Sequence, residues 1–305
     1  MTVDLQAAVA FMTGHARLLD RRRLAVRLTG TGREAALAAL EAYRNPDGGY
    51  GALEPDLRDA GSQPAAALHA FEVLDDVAPS TTPRATALCD WLASATLPGG
   101  GLPFALPVAD PTATAPLWTG ADPESPSLHM TAAVTAAAHR VAAQHPAVAR
   151  HPWLVASTRW CLETAERQGG PSSTLELRYM LGLLDAVAGA QAQADDLLAR
   201  WASALPASAT LPVEGGLEGE AIRPLGFSPW PGRPLRSHLD PAVVEADLDR
   251  LATGQGADGG WSVDFASWSP AAALEWRGHA TVEAVTILQA HGRAPRPGVR
   301  PADPR

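Results

Sequence analysis

Gln255-Gly256-Ala257-Asp258-Gly259-Gly260-Trp261 follows an Ala/Leu-rich helical segment and precedes a polar loop and a further apolar helix. Arg44-Asn45-Pro46-Asp47-Gly48-Gly49-Tyr50 repeats that arrangement near the other end of the chain. In both, Asp-Gly-Gly leads into an aromatic residue. A unit recurring at both ends of a chain is the mark of a repeat architecture. Paired glycines allow a tight reversal between helices, and Tyr50 or Trp261 is placed to staple an outer helix to its inner neighbour.

Working outward, apolar residues recur at helical spacing and β-branched alternation is nearly absent. The spacing predicts helices over 4–13, 16–28, 32–44, 63–77, 83–95, 126–143, 149–167, 173–189, 191–204, 241–253 and 276–291. Start signals include Thr31 before Arg33-Glu34, and Pro83, Pro126 and Pro241 directly after Thr82, Ser125 and Asp240. Segments 63–77, 126–143, 173–189 and 276–291 are nearly apolar, whereas 32–44, 149–167, 191–204 and 241–253 carry charge along one face. Helices apolar most of the way round belong inside and striped ones outside. The expectation is an all-α protein, an α/α toroid of about five to six helix pairs in one domain over 1–292. One pair is irregular, shortened into a Pro-rich excursion between 205 and 240. The Pro/Arg-rich segment 293–305 is expected to be a disordered tail.

Gln255, Gly259 and Trp261 also carry the spacing Gln-x3-Gly-x-Trp, which resembles the QW motif of the squalene-cyclase and prenyltransferase repeat family. The resemblance covers most of 30–292 and is closest at Asn45–Gln63 and Gln255–Leu288. It implies a substrate held in a central cavity, and a terpenoid-cyclase-like or prenyltransferase-like enzyme acting on an isoprenoid. The signatures that accompany those activities are absent from this chain. There is no DxDD: Asp247-Leu248-Asp249-Arg250 ends in arginine. Asp75-Asp76 and Asp195-Asp196 lack the third acid of DDxxD. Asp264 and His279 are similar in placement to the Asp and His zinc ligands of protein prenyltransferases, but Ala266 stands where the cysteine ligand would be.

Composition excludes other chemistries. The chain of 305 residues has no lysine, so P-loop, Schiff-base and kinase-type lysines are ruled out. Its net charge of −9 argues against a general nucleic-acid binder. No run approaches the roughly 20 apolar residues of a membrane span. The N-terminus carries an acid and lacks a basic signal region. Cys89 and Cys161 read as buried thiols of a cytoplasmic protein, and a cysteine-based zinc site is excluded.

The two loops after the Asp-Gly-Gly turns should share one rim of the barrel. Glu54, Asp56, Asp264 and Glu275 would supply acids there, Arg58 and Arg277 cations, and Trp268 and Trp276 an aromatic wall. The same residues are equally well read as local ion pairs and caps that hold long loops. On the inner helices, His69 and Glu72 are three residues apart and His279 and Glu283 four, so each pair shares a face. His129 and Glu176 start two further apolar helices.

Three functions follow. The first is an enzyme with a rim carboxylic acid as proton donor or base: Asp264, Glu54 or Asp56, together with His279. Arg58, Gln63, His69, His129, Glu176, Trp268, Trp276 and Arg277 would bind its apolar substrate. The second is a non-catalytic toroid that binds an apolar ligand or a partner. The third is a metal-dependent hydrolase or lyase using the His/Glu ring. The first two require no cofactor and only the third needs a divalent metal. The expected partners are a small apolar or isoprenoid ligand and a second copy of the chain, with no nucleic acid and no stable membrane insertion.

Overall fold

The computed structural model describes residues 3–295, and these are mostly helical. In chain order the helices are α1 (Leu5–His15), α2 (Leu18–Thr29), α3 (Arg33–Glu41), α4 (Pro64–Asp76), α5 (Pro83–Ala95), one-turn α6 (Pro116–Thr119) and α7 (Leu128–Ala142). One-turn α8 (Pro146–Ala149), α9 (Pro152–Gln168), α10 (Thr174–Val187), α11 (Ala192–Ala202), one-turn α12 (Pro224–Phe227), α13 (Pro241–Thr253) and α14 (Pro270–Ala290) follow. Among the described residues the only sheet is an antiparallel pair of two-residue strands, β1 (Leu211–Pro212) and β2 (Ala221–Ile222). No helix among them is long and apolar enough to cross a membrane.

Local chemistry explains most helix starts. Proline, whose missing N–H is unneeded there, opens α4, α5, α9, α13 and α14. Thr82, Ser127, Ser173, Asp240 and Ser269 accept first-turn amides of α5, α7, α10, α13 and α14. The last of these corrects the predicted 276–291 helix. Ser269 caps Ala272 and Pro270 occupies the first turn, so α14 begins six residues earlier. Glu275 therefore stands on the helix with Trp276 and Arg277, not in the loop before it.

Packing sorts the helices into two sets. In the first, α4 lies against α7, α7 against α10, and α2 against both α4 and α14. In the second, α3 and α5 pack on α4, α9 on α7, α11 on α10 and α13 on α14. The first set is the more deeply buried: α7 hides eleven of its fifteen residues, whereas α13 hides only Val244, Asp247 and Leu248. Helix α2 departs from its composition. Despite three consecutive arginines it belongs to the buried set, with Asp20 and Arg23 inside. The excursion at 205–240 is irregular as expected, formed by β1, β2, α12 and a 3₁₀ turn at Pro234–His238.

Helix α1 packs on both α2 and α14, so the first and last helices of the described residues meet. The Gln255–Trp261 turn makes that junction. The Gln255 side chain accepts from the Asp4 amide at 2.9 Å and donates to the Asp4 carbonyl at 2.7 Å and the Gly259 carbonyl at 2.9 Å. Trp261 donates through its indole to the Leu251 carbonyl of α13 at 2.8 Å and through its amide to Thr281 of α14 at 3.1 Å. Trp261 is thus the expected staple between neighbouring helices. Of the expected disordered tail, Arg293 pairs with Glu245 and Asp249 and Ala294 is buried, while 296–305 lie outside the described residues.

Candidate functional site

His69 stands on α4, five residues after its proline start. Its Nε2 lies 2.9 Å from Glu54 Oε2 and its Nδ1 3.0 Å from Glu72 Oε2. A carboxylate at each ring nitrogen favours a proton on both. Burial alone would lower this pKa, but Glu72 and Glu54 outweigh it and push it up to about 9. Glu72 is correspondingly held well below the usual range: burial opposes ionisation, and His69, His279 and Arg23 overcome it. His279 lies beside His69 with ring centroids 5.2 Å apart, yet its pKa is lowered. Burial disfavours its cation, Glu72 only partly offsets this, and Arg23 adds to the effect.

Arg23 fixes the His279 tautomer. Its Nη1 is 3.3 Å from His279 Nδ1. A guanidinium can only donate, so Nδ1 accepts and the neutral ring carries its proton on Nε2. Arg23 also holds Asp76 through Nε at 2.5 Å, and it lies 3.6 Å from Asp20 and 3.8 Å from Glu72. Arg27 bonds Asp76 at 2.8 Å, and Arg140 approaches Asp75 at 3.6 Å. Asp20, fully buried, accepts from Arg17 at 2.7 Å.

The two loops after the Asp-Gly-Gly turns do meet at one end of the molecule. Asp56 accepts from the Trp268 amide and the Trp276 indole, both at 2.7 Å, and Arg58 pairs with Glu275 at 2.7 Å. Burial raises the Asp56 pKa against those two hydrogen bonds. The Trp276 ring meets His69, His279 and Phe265 edge-on, with centroids 5.9, 5.6 and 5.0 Å apart. Trp268 is half exposed. Gln63 pins the neighbouring segment by bonding both the amide and the carbonyl of Leu106. His129 stacks on Tyr179 at 4.7 Å, and burial, then Arg178, lowers its pKa to about 4.

Glu54, His69 and His279 are therefore gathered into one buried cluster, with Asp56, Trp276 and Arg58 adjoining it. Three other candidates stand apart. Asp264 is exposed and ion-paired to Arg223 from the irregular segment. Glu176 accepts from the Ser172 amide at 2.8 Å and the Gln168 side chain at 2.5 Å, bracing the turn into α10. Arg277 grips both Asp258 oxygens at 2.8 and 2.9 Å and covers the Phe11 ring, supporting the Gly259-Gly260 turn.

Beside the cluster, an open cavity runs between α2, α4, α7, α10, α14 and the segment 226–230. Neither rim loop lines it. Its wall also departs from the expected apolar one, carrying Arg23, Arg27, Arg140 and Arg178 with Glu72, Asp75, Asp76 and Glu283. Some of the isolated polar residues on the apolar helices, Arg140 of α7, Arg178 of α10 and Glu283 of α14 among them, turn to this space. Arg23, Asp76, Arg140, Arg178, Tyr179 and Trp230 escaped the sequence reading. A lone Arg178 within apolar α10 was the readable signal among them.

His69, Glu72 and His279 each offer a ligand atom, and these atoms lie within 4.8 Å of one another. That spacing would suit a divalent ion. In this arrangement, however, both His69 nitrogens face carboxylates and Arg23 sits on His279 Nδ1. The donor atoms are engaged with protons, and a cation would have to displace the Arg23 guanidinium.

The pH dependence follows from the two opposed shifts. His69 binds its proton more tightly folded than unfolded. That stabilisation is complete below its ordinary pKa of 6.5 and is lost as pH rises through about 9. His279 has the reverse sign, so its share is lost on acidification below 6.5. Urea denaturation should show stability falling between pH 7 and about 9 in the wild type, with a flatter profile in His69→Gln. Parallel profiles would show that His69 is not held as a cation.

No known protein family matches the sequence, and no functionally curated protein is similar to it. Among solved structures, a protein from Actinoplanes is similar over 94% of this chain and 89% of its own, with 14% identity and a TM-score of 0.51. This likeness concerns the fold alone.

Proposed function

We propose that the chain is a reduced α/α toroid whose central cavity binds a small polar molecule and carries out proton transfer on it. Taken in chain order, the helices would form six pairs, α1/α2, α3/α4, α5/α7, α9/α10, α11/α12 and α13/α14, with α12 cut to one turn. The contacts of α2 with α4 and α14, and of α1 with α14, support closure of the ring.

The observation that carries the activity is the pair of adjacent imidazoles pushed in opposite directions. Such divergence is how one site supplies both an acid and a base near neutral pH. His279 lines the cavity as a neutral ring whose Nε2–H makes no hydrogen bond among the described residues, placed to polarise a substrate oxygen or nitrogen by donating a hydrogen bond to it. His69, as imidazolium between Glu54 and Glu72, is the proton reserve behind it. Glu72 touches both the cavity and His69 and connects the two.

Nitrogen-15 NMR of the imidazole rings tests this reading. At pH 7, His69 should be protonated on both nitrogens and His279 only on Nε2. Ordinary titration of both rings near 6.5 would remove the basis for an acid–base centre. Stoichiometric metal surviving purification would favour the metal-dependent hydrolase or lyase instead.

A second reading keeps an isoprenoid-type substrate in a terpenoid-cyclase-like or prenyltransferase-like reaction. Its support is the rim, where Phe265, Trp268 and Trp276 surround Asp56. The cavity favours the first reading, since an apolar chain laid against a wall of arginines and carboxyl groups would strip their hydration without replacing it. An apolar ligand recovered from the purified protein by mass spectrometry would reverse that preference.

A further inference from the structure

We infer that Arg178 and Glu283 form a two-ended ligand subsite for a small zwitterion, with a carboxylate held by Arg178 and a protonated amine by Glu283. The inference rests on the cavity reading above and deepens it. Most charged groups of the wall are matched: Arg23 and Arg27 with Asp76, Arg140 with Asp75, and Glu72 with His69. Arg178 and Glu283 differ. Both line the cavity, and among the described residues neither has a hydrogen bond or an opposite charge within 4.0 Å. Among the described residues the Tyr179 hydroxyl and the Trp230 indole N–H, on the same wall, also make no hydrogen bond, and the Arg178 guanidinium carbon lies 5.1 Å from the Tyr179 ring centroid.

The placement of these groups is specific. Arg178 is on α10 and Glu283 on α14, and the segment 226–230 joins them in the lining where the inner helix is cut to the single turn α12. The two opposite charges line one space without an ion pair between them. A planar guanidinium matches a carboxylate in two parallel hydrogen bonds. Glu283 suits an ammonium at the far end. Because Arg23, Arg27 and Arg140 are committed to Asp75 and Asp76, Arg178 is the one arginine of the wall left for an anion among the described residues, so the site suits one negative charge paired with one positive rather than a polyanion such as pyrophosphate.

Thermal melts of the full chain with a graded set of probes test this: β-alanine, 4-aminobutyrate and 6-aminohexanoate, against butyrate and pyrophosphate. One ω-amino acid, at about tenfold its Kd, should raise Tm by roughly 3 °C, above butyrate and pyrophosphate. Arg178→Met should fold with an unchanged or higher Tm, because it removes an unmatched cation, and should bind that probe about 10- to 100-fold more weakly. Glu283→Gln should erase the preference over butyrate. The inference is overturned if no probe binds, if pyrophosphate or butyrate binds as well as the amino acids, or if both variants bind like the wild type. It is also overturned if Arg178→Met destabilises the protein, which would mean that Arg178 has a structural partner. The imidazole spectra of the ligand-free protein report the acid–base centre separately, so the two failures are distinguishable.

Discussion

Replacing Arg23 by methionine is expected to cost about 3–5 kcal/mol of folding stability, a large part of the roughly 5–15 kcal/mol typical of a native protein. Arg23 is 6% exposed and serves Asp76, Asp20 and Glu72, with His279 as a fourth neighbour. Methionine fills much of the volume but leaves these carboxylates underground with less countercharge. Asp76 keeps Arg27 and Asp20 keeps Arg17, so the loss is partial for each acid and large in sum. Chemical denaturation at pH 7 measures it. A change below about 1 kcal/mol, the usual size for an exposed ion pair, would show that the cluster is solvated and the buried network wrong. The double variant Arg23→Met/Asp76→Leu should recover part of the loss, since removing both partners of a buried pair costs less than orphaning one.

The second large effect is expected at Gly259. Its φ of +93° is a backbone region that side chains rarely adopt. A Cβ there would lie 2.2 Å from the Ala7 carbonyl oxygen of α1, which is backbone and cannot swing aside. Gly259→Ala should therefore cost more than about 3 kcal/mol, combining conformational strain with displacement of α1. Gly48, its counterpart in the first turn, has φ +92°, and its nearest neighbour would be the Ala87 carbonyl at 3.1 Å. Gly48→Ala should bear mainly the conformational cost, about 1–2 kcal/mol. Thermal or urea unfolding of both variants checks the ordering. Equal losses would mean that the contact with α1 contributes nothing.

These two positions also show what could be read from the sequence. The Asp-Gly-Gly-aromatic turns, the helical periodicity and the Thr-Pro and Asp-Pro starts are local signals, and they gave the helices nearly in place. The start of α14 was as local as the others, since Ser269-Pro270 carries the same cap. The tryptophans and charged residues after it drew the reading towards a loop. Arg23 could not be placed by such means. Three arginines in a row read as a solvated face, and what buries the third is Asp76, 53 residues onward on a different helix. Likewise, Asp75-Asp76 could be rejected as a metal-binding signature from spacing alone, but their part as the hub for Arg23, Arg27 and Arg140 exists only in three dimensions. His69 and His279 were visible as polar residues on apolar helices. The opposite directions of their pKa shifts depend on Glu54 and Arg23, which no sequence window contains.

The bond from Gln255 to Asp4 spans 251 residues, and its main consequence is kinetic. Joining distant segments costs little extra free energy, because loop-closure entropy grows only with the logarithm of length. Its effect on rate is greater, since contacts far apart in sequence slow the search for the native state. Helix pairs in the middle of the chain assemble from neighbours, and α1 can meet α2 in the same way, but its contacts with α14 need the far end of the fold. During synthesis α1 emerges before α13 and α14, and its contacts with α14 must wait for them.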